Sequence, residues 1–582
     1  MVKPYTALVV IVLILTLLPA FSIWVLVGDA WLGIVPPFTD EALYQTRVQT
    51  VVHGHFSGGN PYFLEHTDDP PLVLFGGAWL NAVPQLLGLS LIPSLALNFV
   101  FWSLLFATAA YFLLRELRIS PWLSVATTVF LYIESYSHIW RSANLQTVYP
   151  FYFLFYFVLL RLIREPNRFN IVSLGLITGV TFYLFTFLWQ VAVVTLGLLF
   201  LYALALRNWP LLKATSLTGL VGGTIGLPVP LYIFWLSHAS PYFWESLGRL
   251  GLVNTHLPMA EVIYSGGWIG LTLALLALLW WRIPSLRGDH DARVATSFLF
   301  ISGFGLWVMQ GSNLITGKLT ETGEHISILL QPWLVVALVT TSILAWQWRA
   351  HVALQMRWVV GVILAILLGV SVHYAYDRFI YFLPLEANRE PWQTAQLYAG
   401  PYAWLETHEP EPVVVWSNPG HYFATVLPLW TKHFTLFAFW GVLNLMPEVE
   451  VRERYLISQY FNDPTAEDLK RDLAKYAGRA EAFHNAKTLE RGIKICRIRY
   501  AWSPTHDCGT PQTPVELLGD EFFAKLEKAF ATEIKPNIKR YLAKYQVKYL
   551  LRDKVLDLDY KPLALKASLV YEDERYELYR LP

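Results

Sequence analysis

The sequence predicts a multi-span α-helical membrane protein with an α/β domain attached on the outer side of the membrane. Three observations lead there. Of 582 residues, 55% are hydrophobic and only 15% are charged, and the mean hydropathy is +0.41, too apolar for an ordinary soluble domain. Long apolar runs recur through residues 1–377, and the chain turns polar from 378 to 582. Lys and Arg gather in every second connection between the runs, as the positive-inside bias requires. A net charge of +1 gives no reason to expect a nucleic-acid partner.

The first run, 5–28, is too long for the apolar part of a cleaved leader and lacks a small-residue cleavage site, so it reads as a retained anchor. A span takes about 20 apolar residues. On that rule further spans fall near 92–114, 121–138, 147–164, 171–188, 189–206, 212–236, 265–282, 294–311, 326–348 and 357–377, about eleven in all, with a split expected at Trp189–Gln190. With the N-terminus inside, the inner connections hold the clusters Arg115/Arg118, Arg161/Arg164/Arg168 and Arg282/Arg287/Arg293. The outer ones before residue 326 hold Arg47, Arg141, Arg249 and Lys318. This orientation puts the N-terminus in the cytoplasm and the tail outside the plasma (inner) membrane. The apolar stretch 70–88 is interrupted by Gly76, Gly77 and Pro84. It is expected as a helix lying on the outer surface, because a span there would invert every later connection.

The outer loop 29–91 is the densest polar patch in the membrane half. Asp40 and Glu41 stand where the first span ends, at the start of a helix expected to reach about Val52. Paired acids there are candidates for proton abstraction; the alternative is that Thr39 or Asp40 caps the helix and favours its dipole. Gly54, Gly58, Gly59 and Asn60-Pro61 break the helix. His53, His55, Glu65, His66 and Asp69, with Asp68, are donor types that suit Mg, Mn or Zn. Their spacing matches no established ligand pattern, and solvated loop residues are the alternative. Glu134 sits at the outer end of a span, where an ionisable residue is costly. Arg47, Arg141, Arg249 and Lys318 are the outer cations able to hold a phosphate, and Glu324 and His325 lie in the fourth outer loop.

The tail, 378–582, is expected as one mixed α/β domain. VVVW (413–416), IKICRIRYAW (493–502), VKYLL (547–551) and the closing ASLVYE and YELYRL read as strands. Asp463-Pro464 is expected to open a helix, or a pair of helices, running to about Gly492. Thr513-Pro-Val-Glu516 reads as a capping box. Cys496 and Cys508, the two cysteines of the chain, are expected to form a disulfide if the tail faces an oxidising compartment.

Several features carry a family resemblance. They are the Asp40-Glu41 pair after span one, Tyr44, Asn60-Pro61-Tyr62, Asp69-Pro70-Pro71 opening an interfacial helix, and the closing YLAKYQVKYLL and YELYRLP. The chain resembles the C-type glycosyltransferase (GT-C) superfamily, near the bacterial lipid A aminoarabinose transferase and protein O-mannosyltransferase group. That group often has His where Asp69 stands. The resemblance implies transfer of a sugar from a polyprenyl-phosphate-type donor to a lipid, glycan or protein acceptor at the outer face. Asp40 would be the general base and Glu41 the second choice. Arg47, Arg141, Arg249 and Lys318 would meet the phosphate, and Glu324 and His325 would orient donor or acceptor. A divalent ion is a further expectation. The rival reading is a polyprenyl-lipid or sugar transporter without transfer chemistry, which predicts internal repeats and polar breaks at the bilayer midplane.

Overall fold

The computed structural model describes residues 3–35, 40–141, 143–257, 260–319, 322–347, 354–382, 389–418, 422–473, 479–503 and 505–582. A helix lies at each stretch expected to span. Among the described residues six helices are long and apolar enough to cross a membrane: Pro4–Ala30, Leu91–Glu116, Leu145–Arg164, Thr186–Ala205, His290–Thr316 and Ile328–Gln347. A seventh crossing forms if Trp209–Gly226 and Pro228–Ala239, bent by 44° at Leu227, act as one. Arg168–Leu184 and Gly266–Arg282 are shorter apolar helices, and Pro121–Glu134 has 14 residues. The chain is thus a membrane protein built mainly of helices.

The expected split at Trp189–Gln190 is displaced. The break falls at Phe185, which is extended (φ −159°) between Arg168–Leu184 and Thr186–Ala205. Trp189 continues the second helix and stacks on Phe182 across the break. Their ring packing moves the corner from the polar Gln190 to the aromatic Phe185.

The stretch 70–88 forms the helix Gly76–Leu86, about 16 Å long and too short to cross. Its Asn81 carbonyl accepts from Asn98 Nδ2 at 2.8 Å, and its Asn81 Oδ1 accepts from Trp102 Nε1 at 3.2 Å. Gly77 lets the helix touch Ala143, since a Cβ there would stand 2.3 Å from the Ala143 carbonyl oxygen.

The tail contains a five-stranded sheet ordered Phe434–Thr435, Val414–Trp416, Val547–Asp553, Tyr576–Arg580, Ser568–Glu572. Val414–Trp416 runs parallel to both neighbours, while the other two pairings are antiparallel. The strand expectation for IKICRIRYAW fails: most of this stretch is the end of the helix Arg479–Arg499. Ile493 and Cys496, three residues apart, share one face of a helix, and Ile493 is buried. Asp463 does not cap the next helix. Its φ is +49°, and Ala466–Leu473 instead begins after Thr465, whose hydroxyl and N–H both donate to Asp468 Oδ2. The capping box Thr513–Glu516 is present.

The segment after the first span is part of the tail's core. Leu43, Tyr62 and Phe63 pack with Val414, Trp416, Leu436 and Val442. Thr435 N–H donates to the Tyr62 carbonyl at 3.0 Å, and Asn60 Nδ2 donates to the Gly441 carbonyl at 2.9 Å. This docking fixes the helix Glu41–Val52 between the bundle and the sheet.

Candidate functional site

Under the helix Glu41–Val52 lies a cavity of about 320 Å³ with almost wholly apolar walls. Leu17, Ala20, Ile23 and Trp24 of the first span form one wall, and Leu95, Ala96, Phe99 and Val100 form the other. Glu41, Gln45, Trp140 and Gln146 bring the polar atoms to it. Glu41 is 2% exposed, and Gln45 Nε2, one helical turn on, donates to its Oε1 at 2.5 Å. A carboxylate held by an amide at the head of a hydrocarbon slot matches a lipid tail carrying a polar head group.

Asp40 makes no side-chain cap hydrogen bond, so the capping alternative does not describe it. Its carboxylate pairs with Arg141. Arg141 follows Trp140, which lines the cavity, and precedes Ala143, whose φ of +61° is unfavourable for a residue with a Cβ. The pair therefore flanks the cavity on both chain segments.

The other sequence candidates separate. Arg249 is fully buried. It donates to Glu448 Oε2 at 2.9 Å and to the Val442, Asn444 and Met446 carbonyls at 2.8, 3.3 and 2.6 Å. That guanidinium joins the helix Phe243–Arg249 to the tail, a role in assembly. Lys318 is exposed, bonded to Asn254 Oδ1 at 2.6 Å and 4.0 Å above the Trp244 ring. His325 stacks on Phe187 at 4.8 Å; the side chain of Glu324 lies outside the described residues. Arg47 is buried on a different face of its helix from Glu41. It donates to Asn444 Oδ1 at 2.6 Å and covers Phe75 at 4.0 Å. No carboxylate among the described residues pairs with it, and burial lowers its pKa to about 10.

The expected metal donors do not converge. His66 Nδ1 meets Asp69 at 2.6 Å and its Nε2 meets Glu450 at 3.0 Å, so both ring nitrogens are engaged. Although burial opposes the charge, these two carboxylates outweigh it and raise the His66 pKa to about 9. Glu65 pairs with the buried Arg454 at 2.7 Å, His55 with Asp68 at 3.0 Å, and His53 faces a different cavity. Among the described residues these donors are held at separate points by their own partners and do not gather around one position. Among the described residues one cluster of three close donor groups occurs, Cys496, His506 and Cys508. Its two sulfurs are joined to each other in a disulfide.

Sequence reasoning missed Gln45 and Gln146. Gln45 carried a signal, the i to i+4 spacing from Glu41 that puts both on one helix face. Gln146 carried none.

No protein-family model matches the chain, and no curated protein matches it. Among solved structures, the crystal structure of ArnT from Cupriavidus metallidurans bound to undecaprenyl phosphate is similar along 98% of this chain and 97% of that one. The identity is 13% and the TM-score 0.39, a likeness too distant to assign any residue here.

Proposed function

We propose that the protein is a membrane glycosyltransferase that takes a sugar from a polyprenyl-phosphate-type lipid at the outer membrane face. The observation that carries this reading is the apolar cavity with Glu41 among its lining residues. The lipid chain lies between the first span and Leu91–Glu116, with its phosphate toward the Asp40–Arg141 pair. Glu41 takes the proton from the acceptor's hydroxyl or amine. The acceptor's lone pair forms a bond to the anomeric carbon as the bond from that carbon to the phosphate oxygen breaks. The electron pair leaves on the polyprenyl phosphate, whose charge Arg141 offsets. This reverses the order expected from sequence, which put Asp40 first. Asp40 instead holds Arg141 in place. No metal step is included, because the expected donors do not gather around one position among the described residues.

The test is occupancy of the cavity. Mass spectrometry of lipid carried through purification should find polyprenyl phosphate on the wild type. Ala96→Trp, which fills the slot, should lose it and the transfer activity together. Retention of polyprenyl phosphate by a folded Ala96→Trp protein would place the lipid elsewhere.

A further inference from the structure

Part of the wall of the cavity at Glu41 is a strap, residues 31–35, without helix or strand. Trp31 and Val35 line the cavity. Ile34, between them, is buried in the tail's core with Ala395, Tyr398 and Tyr402. The strap therefore belongs to the cavity on one side and to the tail on the other.

One side chain of the tail meets the strap's backbone. Gln396 is 1% exposed. Its Oε1 accepts the N–H of Leu32 at 3.0 Å and that of Ile34 at 3.1 Å. Its Nε2 donates to the Ile34 carbonyl at 2.7 Å and to the Trp392 carbonyl at 3.2 Å. A side-chain amide has two lone pairs and two N–H groups, and all four are used. An amide is the group this arrangement requires. A carboxylate would set an oxygen against two carbonyls, and a hydrocarbon would leave the N–H groups of the strap without an acceptor. The same helix, Arg389–Gln396, supports the cavity from a second point. Its buried Trp392 packs with Ile23 and Val27 of the first span and with Trp31, Val35 and Trp140. Of these, Ile23, Trp31, Val35 and Trp140 line the cavity.

We propose that Gln396 is a positioning residue of the lipid site. It holds Trp31 and Val35 as a fixed wall for the lipid chain, so the tail sets how tightly the membrane half keeps a polyprenyl phosphate. This rests on the transfer reading's placement of the lipid in the cavity at Glu41.

The experiment titrates farnesyl phosphate into the full-length protein in detergent and counts bound lipid by native mass spectrometry. Gln396→Met keeps the length of the side chain and removes its hydrogen bonds. It should weaken the apparent affinity by about tenfold. Leu32→Pro removes one N–H from the set, and Trp31, extended at ψ 113°, accepts a following proline. It should weaken the affinity by roughly threefold. Ser246→Ala breaks a different contact with the tail, the hydroxyl bond to the Met446 carbonyl at 3.2 Å. It should lower the thermal midpoint and leave the affinity at the wild-type value. If Gln396→Met does not fold, Leu32→Pro carries the test. Affinity unchanged in Gln396→Met and Leu32→Pro, or weakened as much by Ser246→Ala, overturns the proposal and leaves the lipid reading standing. A wild type that binds no farnesyl phosphate overturns both.

Discussion

Asp40 and Glu41 are chain neighbours that the fold sends to different partners. Glu41 goes to Gln45 and the apolar cavity, Asp40 to Arg141. Asp40→Asn keeps the size but removes the charge that positions the guanidinium. We expect Asp40→Asn and Arg141→Gln each to slow transfer by about tenfold or more, a loss of roughly 1.4 kcal/mol in barrier. The double variant should be no slower than the worse single, because the two act as one unit. A double-mutant cycle on the transfer rate checks this, and strictly additive losses would separate them. The acid pair itself was legible in the sequence, because charges are rare in this half and these two sit at a membrane exit. Which of the two faces the cavity was not, since it depends on the rotation of a helix whose Leu43 packs into the tail's core. The four outer cations looked alike in sequence for the same reason: Arg249 is committed by Glu448, 199 residues away.

At the scale of elements, the first outer loop and the helix Glu448–Ser458 are joined by charge. Arg454 is fully buried between Glu65 at 2.7 Å and, within its own helix, Glu450 at 2.8 Å, and His66 to Glu450 adds a second link between the two segments. Arg454→Met should destabilise the fold by roughly 3–5 kcal/mol, because it leaves buried acids uncompensated; denaturant unfolding measures this. The pH dependence follows from the same contacts. The His66 pKa is raised to about 9, so its contribution is full below its ordinary value of 6.5 and is lost as pH rises through about 9. The Glu450 pKa is lowered to about 2 by His66 and Arg454, so its contribution is present above 4.5 and lost as pH falls through about 2. Thermal midpoints should therefore fall toward alkaline pH, and His66→Gln should flatten that fall. Sequence patterning found the strands Val414–Trp416, Val547–Asp553, Ser568–Glu572 and Tyr576–Arg580 because their apolar runs are short and bounded by turns. It misread residues 493–499 because a run rich in Ile favours a strand by propensity, whereas Ile493 and Cys496 share one helical face with Ile493 buried.

At the scale of the whole molecule, composition and charge were enough to read a helical membrane protein with a sheet-bearing tail. They did not show that the first outer loop completes the tail's core. The outside assignment of the tail is checked by single-site labelling. Val555→Cys, at a position 58% exposed, should react in intact cells with a thiol reagent that cannot cross the membrane. Labelling of Val555→Cys that requires permeabilised cells would reverse the topology. The central claim is that the carboxylate lining the cavity takes the acceptor's proton. Glu41→Gln preserves shape and the contact with Gln45, and its single-turnover rate from a polyprenyl-phosphate-linked sugar tests the claim directly. The account predicts a loss of about a hundredfold or more in a protein that still folds and still carries the lipid. Transfer by Glu41→Gln at the wild-type rate would contradict it.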